Sequence, residues 1–355
     1  MAKPKQIAGI DCDASAAGGI RLVLMFRLEE MCSLRDEALD FDDPEGVHDM
    51  RVASRRLRSA LRDFMPYLSK RHITSSLHEI KNVADALGRV RDQDVALLAL
   101  EKLAEKAPPL VVASINRFAE LRRQKRKEAR AALLRTLDPN TLAALRSSFA
   151  NSLEAAIDPA VRRKSRQGAR NGTLVTYRDL ARMTILNRLE DLEKLSDSLY
   201  HPLSIKPLHR MRIAAKRLRY ALELFERCWG QQAALFAKKV AGLQSALGEL
   251  HDCDLWIDNF GNDLSQAEKQ RGTSGAEAVE DDHAAAYIWL LGHFVRLRTK
   301  HFRNALARWY EWETRGFSAR LRNTLVAELP ESSASSSGKA SGEVAHALVA
   351  SASES

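Results

Sequence analysis

His48, Arg51, Arg55, Arg58 and Arg62 recur at spacings of three and four residues. On a helix, at about 100° per residue, they share an arc of about 80°. Met50, Ala53, Leu57, Ala60, Leu61 and Phe64 fall on the opposite side. Such a helix buries one face and lines the other with guanidinium groups. A second segment repeats the pattern, with His209, Arg212, Lys216 and Arg219 against Met211, Ala214, Leu218, Leu222 and Phe225. Arg56 and Arg217 lie inside the two runs and are counted with them as candidate anion ligands. Like charges stacked at i, i+3 and i+4 destabilise an isolated helix by a few tenths of a kcal/mol per pair. The acids between His48 and Phe64, Asp49 and Asp63, lie off the stripe. A solvated face, or arginines paired with acids of other helices, is the simplest account of one stripe. Two copies favour a track for a polyanion, because arginine offers a planar fork that fits phosphate oxygens and stays charged. Lys216 keeps the charge but lacks the fork, and Glu223 stands where the first copy has Arg62. Both changes make the second copy the weaker half.

Two further basic runs follow. The first holds Arg117, Arg122, Arg123, Lys125, Arg126, Lys127 and Arg130, and the second Arg296, Arg298, Lys300, His301, Arg303 and Arg308. A charge run alone reads as a solvated face. Recurrence in both copies makes Arg122, Arg126, Arg130, Arg296, Lys300 and Arg303 candidates for extending the cationic surface. For His48 and His209 a hydrogen bond to phosphate is favoured over a structural role or catalysis, since neighbouring arginines push a histidine pKa down. Asp92, Asp94, Asp252 and Asp254 could hold a metal with His251, but a metal site needs three or four convergent ligands. Pairing with stripe arginines is the expected role, and neither metal nor cofactor is expected. No Walker loop, Gly-rich phosphate loop, His-Glu-x-x-His motif or Ser/His/Asp constellation occurs. Gly88 and Gly248 are expected to allow close helix packing.

The elements that must position these residues are helical, because apolar residues recur at three and four rather than two. Helices are predicted at about 19–40, 46–68, 71–106, 110–136, 139–156, 174–200, 206–228, 231–259 and 276–325, separated by breaks such as Asp43-Pro44, Pro108-Pro109, Asp138-Pro139 and His201-Pro202. The chain repeats itself. Arg27-Leu28-Glu29-Glu30 matches Arg188-Leu189-Glu190-Asp191 at a separation of 161, and the two stripes keep that separation. One residue is then lost, and Ala86 to Asp92 matches Ala246 to Asp252. Three blocks in one order make a duplicated helical unit, too long for a solenoid repeat. The expected organisation is 1–18 disordered, 19–160 the first repeat, 161–173 a linker, 174–328 the second repeat and 329–355 a disordered tail.

The 355 residues carry a net charge of +9, with a pI near 9.4. That balance points to an anionic partner: nucleic acid, polyphosphate or an anionic surface. Hydrophobic residues at 45% are enough to fold the chain. Four cysteines without a C-x-x-C pair suggest a reduced, cytoplasmic protein. The longest strongly apolar stretch, Ala284 to Leu291, is too short for a membrane span.

The blocks His48-x-x-Arg51-x-x-x-Arg55-Arg56-x-Arg58 and His209-x-x-Arg212-x-x-x-Lys216-Arg217-x-Arg219-Tyr220 resemble the signature of CHAD domains, the histidine-containing α-helical domains. The Leu-Gly-x-x-x-Asp-x-Asp blocks at 87–94 and 247–254 fit the same family, and the resemblance spans roughly 19 to 325. It implies an all-α fold of two tandem four-helix bundles, related by a pseudo-two-fold axis, around a basic channel or groove. It also implies non-catalytic binding of inorganic polyphosphate, often at polyphosphate granules. The Glu-x-Glu-x-Lys pattern of the triphosphate-tunnel (CYTH) domain that accompanies some relatives is absent. Binding to nucleic-acid backbones is the alternative, less favoured because the stripes lack aromatic platforms and Asn or Gln readers. A metal-dependent enzyme acting on polyphosphate or phosphohistidine is a further one. Oligomeric state is not legible in the sequence.

Overall fold

Prolines and capping side chains set several helix starts. Asp43 accepts a hydrogen bond from the Glu45 backbone N–H and is followed by Pro44 at the first helical position. Asp138 caps Thr141 before Pro139 in the same way, and Thr176 with Asp179 forms a reciprocal capping box. The computed structural model describes residue 5 and residues 7–157, 175–274 and 280–327. The expected linker at 161–173 and tail at 329–355 lie outside the described residues.

The first repeat comprises α1 (Ala16–Ser33), α2 (Arg35–Leu39), α3 (Pro44–Phe64), α4 (Lys70–Ala104), α5 (Pro109–Thr136) and α6 (Pro139–Ala156). The second comprises α7 (Tyr177–Glu193), α8 (Ile205–Leu224), α9 (Glu226–Trp229), α10 (Gln231–Ser274), α11 (Glu280–Thr314) and α12 (Phe317–Val326). No strand occurs among the described residues, so the all-helical expectation holds. Several boundaries differ from it, and the predicted helices 174–200 and 206–228 are interrupted after Glu193 and at Phe225. The predicted helix 231–259 continues to Ser274, because no proline interrupts it and Gly261 and Gly272 each cost only about 1 kcal/mol. The predicted helix 276–325 is two helices, broken where Gly316 adopts φ 60°. The predicted helix 19–40 is divided at Leu34.

The N-terminal segment corrects a further expectation. Residues 7–18 are not loose: Ile7, Ile10 and Cys12 are buried, and α1 begins at Ala16. Ser15 forms an antiparallel bridge with Thr176, its equivalent 161 residues later. Tyr177 N–H donates to Ala14 C=O at 2.9 Å, and Ala16 N–H to Val175 C=O at 3.2 Å. Arg178 adds a fork onto Asp13, at 2.8 and 3.1 Å. No local periodicity announces such pairing, because its partner lies in the other repeat.

One apolar cluster runs through both repeats and includes Leu57, Phe64, Tyr177, Leu218 and Phe225. A second joins the far ends of the α4–α5 and α10–α11 hairpins, through Leu97, Leu100, Ile115, Phe260, Leu290 and Phe294. On α4 the main cluster ends at Val90 and the second begins at Leu97; on α10 the change falls between Leu250 and Cys253. The two Gly-x-x-x-Asp-x-Asp blocks sit at this junction, where apolar packing gives way to charge.

Candidate anion-binding site

Arg51 projects from α3 onto α4 at the place where α4 has no side chain. A Cβ on Gly88 would stand 2.5 Å from Arg51 Nη1. Arg51 Nη2 then donates to Asp92 Oδ1 at 2.9 Å. The second repeat builds the same arrangement more loosely: Arg212 lies over Gly248, whose Cβ would be 3.7 Å from Arg212 Nε. Burial first, countered by Asp252 and then reinforced by Arg55, lowers the Arg212 pKa below its ordinary value. The expectation that the glycines serve helix packing is thus refined, since what they admit is a guanidinium.

Arg55 of α3 acts across the repeat boundary. Its charge bears on Arg51 in its own helix and on Arg212 and Lys216 of α8. Lys216 lies at the centre of this crowd. Burial, then Arg212, Arg55, Arg62 and Arg217, push its pKa down to about 8. Arg55 and Arg62 of the first repeat and Arg212 and Arg217 of the second thus all act on one ammonium.

The histidines differ between repeats. His48 is half-buried, and burial followed by the charge of Arg91 lowers its pKa, against the opposing pull of Glu45 and Asp49. Glu45, His48 and Asp49 have ligand atoms within 4.8 Å of one another, the one such group among the described residues. His209 instead faces His251: Nδ1 to Nδ1 is 3.3 Å and the ring centroids are 4.1 Å apart. Only one proton fits between those nitrogens. Burial, then His209 and Arg212, push the His251 pKa down to about 4. Burial, then Arg212 and Lys216, lower that of His209. The aligned blocks put His251 where the first repeat has Arg91, and the structure sets it against His209 and not among metal ligands with Asp252 and Asp254.

The remaining sequence-derived candidates divide into groups. Arg58 points toward Asp85, at 3.9 Å. Arg56 and Arg219 are not on the stripe. Arg56 lines a small polar pocket with Arg27, Ser59, Tyr220 and Glu223. Arg219 is 5% exposed, pairs with Glu223 at 3.2 Å and lies 4.8 Å from the Tyr220 ring centroid. On the wheel Arg56 stands about 80° from His48, away from the stripe, which turns it toward the neighbouring repeat. Glu223 therefore does more than interrupt a stripe: it engages the guanidinium groups packed between the repeats. Arg217 stands near Arg62 and the buried Asp63, which Arg188 of α7 grips at 2.7 and 2.9 Å.

In the second basic runs, Arg126 reaches Asp94 at 3.4 Å and Arg298 reaches Asp254 at 2.5 Å. These two aspartates pair with the outer runs and not with the stripe, while Asp92 pairs as expected. Arg122 bonds Gln93 at 3.4 Å and lies 5.7 Å from the Trp256 ring centroid. Arg130 donates to Phe41 C=O at 3.1 Å and stacks over that ring. Arg296, Lys300 and Arg303 are exposed along α11, and no bond ties them to the stripe.

A sequence model of the CHAD domain matches residues 23–260. The chain belongs to the CHAD domain family. The matched region holds both stripes and both Gly-x-x-x-Asp-x-Asp blocks and ends within α10, ahead of α11 and α12. The CHAD domain from the plant Ricinus communis superposes with a TM-score of 0.61 at 22% identity, covering 86% of this chain and 96% of that one. PptA from Streptomyces chartreusis superposes at 0.56 and 16% identity, covering 83% and 99%. Both likenesses concern the fold. No curated protein sequence matches the chain. No helix among the described residues of this CHAD protein is long and apolar enough to cross a membrane.

Proposed function

We propose that this CHAD protein binds inorganic polyphosphate, without catalysis, in a basic channel or groove between its two repeats, each a four-helix bundle. The observation that carries the reading is Lys216 surrounded by Arg55, Arg62, Arg212 and Arg217, drawn from both repeats. Such crowding opposes folding unless an anion completes the site. A linear chain charged at every phosphate matches two tracks of cations, and the family resemblance narrows polyanion to polyphosphate. The ligand-binding set is His48, Arg51, Arg55, Arg58, Arg62, His209, Arg212 and Lys216, with Arg122, Arg126 and Arg130 along one flank. Placement in the cytoplasm, at polyphosphate granules, follows from the same reading.

The test reverses Arg51, Arg55 and Arg212 to Glu and measures binding of long-chain polyphosphate at two salt concentrations. Wild-type affinity should fall steeply with salt through counterion release. The variant should keep its helical spectrum and lose binding. Arg219 is unsuitable for such a reversal, since it is buried against Glu223. Retained wild-type affinity in the variant would refute the assignment. Release of phosphate from polyphosphate with a divalent metal would replace binding by an enzymatic reading, and RNA that excess polyphosphate cannot displace would favour nucleic acid.

A further inference from the structure

A second cationic concavity lies away from both stripes, where the N-terminal part of α10, the end of α11 and the start of α12 converge. It encloses about 340 Å³, within the size range of small-molecule sites. Lys238 and Lys239 enter from α10, Arg308 from α11, Arg315 from the turn that follows it, and Arg320 from α12. The one acid in its wall, Glu311, is already bound to Arg315 at 3.0 Å. Four cations thus share the cleft without a carboxylate partner among the described residues.

Two glycines shape the arrangement. A Cβ on Gly242 would lie 2.8 Å from Arg308 Nη1 and 3.3 Å from its Cζ, so the bare backbone lets this guanidinium lie against α10. Gly316 takes φ 60° and turns the chain from α11 into α12, which brings Phe317 and Arg320 to the cleft. The cleft also has an apolar wall, and in this it differs from the stripe. Leu235 is 56% exposed there. Trp312, 8% exposed, presents only part of its indole beside it and is braced by Phe317, with ring centroids 4.0 Å apart and planes 12° from parallel.

Inorganic polyphosphate has nothing to set against that wall. A nucleotide has an apolar, planar base on one end and phosphates on the other. We propose that this cleft binds a nucleoside polyphosphate, with the base against Leu235 and Trp312 and the phosphates held by Arg308, Arg320, Lys238 and Lys239. This site is independent of the stripe, and its failure would leave the polyphosphate reading untouched.

Calorimetric titration of the full chain with the stripe arginines Arg51, Arg55 and Arg212 reversed, using ATP and separately inorganic triphosphate, tests the assignment. ATP should bind more tightly than triphosphate at equal salt. The double variant Arg308→Glu/Arg320→Glu should weaken ATP by about tenfold or more while leaving long-chain polyphosphate binding unchanged. Leu235→Ser should reduce ATP affinity and spare triphosphate. The stripe variant with Arg51, Arg55 and Arg212 reversed should retain ATP binding. Should the Arg308 and Arg320 reversals disturb the helical spectrum, Lys238→Glu/Lys239→Glu at two exposed positions makes the same measurement. Triphosphate binding as tightly as ATP, no ATP binding at millimolar concentration, or loss of ATP only in the stripe variant would each overturn the proposal.

Discussion

Phe64 and Phe225 meet edge to face, with ring centroids 6.0 Å apart, and they are the same position of the repeat, 161 residues apart. Ser15 and Thr176, also equivalent, bridge each other at the start of the two repeats. Equivalent residues touch only near an axis that relates the two copies. Phe64 ends α3 and Phe225 follows the last residue of α8, so the two helices that carry the stripes approach each other at these ends.

Both rings are fully buried in the cluster shared by the repeats. Phe225→Ala should therefore cost about 3–5 kcal/mol, and the loss should appear in one cooperative transition. Urea unfolding followed by circular dichroism checks this. Two separated transitions would show that the repeats fold independently.

The His209–His251 pair sets a pH dependence. In the free protein both pKa values lie below the ordinary histidine value, His251 at about 4. A bound polyanion raises them. A group whose pKa is higher in the complex takes up a proton on binding, so affinity rises as pH falls through the complex's pKa. Polyphosphate should bind more tightly at pH 5.5 than at pH 7.5. His251→Arg copies the first repeat's Arg91; it should strengthen binding at pH 7.5 and flatten the slope. An unchanged slope in that variant would remove the pair from the site.

Lys216 is held in a field that favours its neutral form, with a folded pKa of about 8 against an ordinary 10.5. Between those values the unfolded chain binds the extra proton, so this group makes stability rise with pH from 8 toward 10.5. Lys216→Met should reduce that rise and stabilise the protein at neutral pH by roughly 1 kcal/mol, while polyphosphate affinity falls. Denaturation midpoints at pH 7 and 9.5, with binding at pH 7, separate the two effects.

The two glycines under the stripe should respond differently to one methyl group. Gly88→Ala collides with Arg51 Nη1 at 2.5 Å and must displace the guanidinium from Asp92. Gly248→Ala meets Arg212 at an ordinary 3.7 Å. The second change should leave binding intact and stabilise the helix by about 0.5–1 kcal/mol. The first should weaken polyphosphate binding several-fold. Equal effects would mean that Arg51 is not placed by the bare backbone of α4.

The helical character, the duplication and the faces of α3 and α8 were legible in the sequence, because they depend on spacing within one helix. His48, Arg51 and Arg55 lie on the polar face as the wheel requires. What could not be read is what each polar face meets. Arg56 and Arg219 share helices with the stripe residues, yet they are turned into Glu223 and the packing between repeats. Asp94 and Asp254 pair with Arg126 and Arg298 because long hairpins bring distant turns together. Residues 7–15 lack periodicity and are held by backbone bonds to residues 175–178, about 160 residues away. Helix periodicity is a local property that a sequence carries in full. The crowd of charge around Lys216 exists only once two helices from different repeats have packed together.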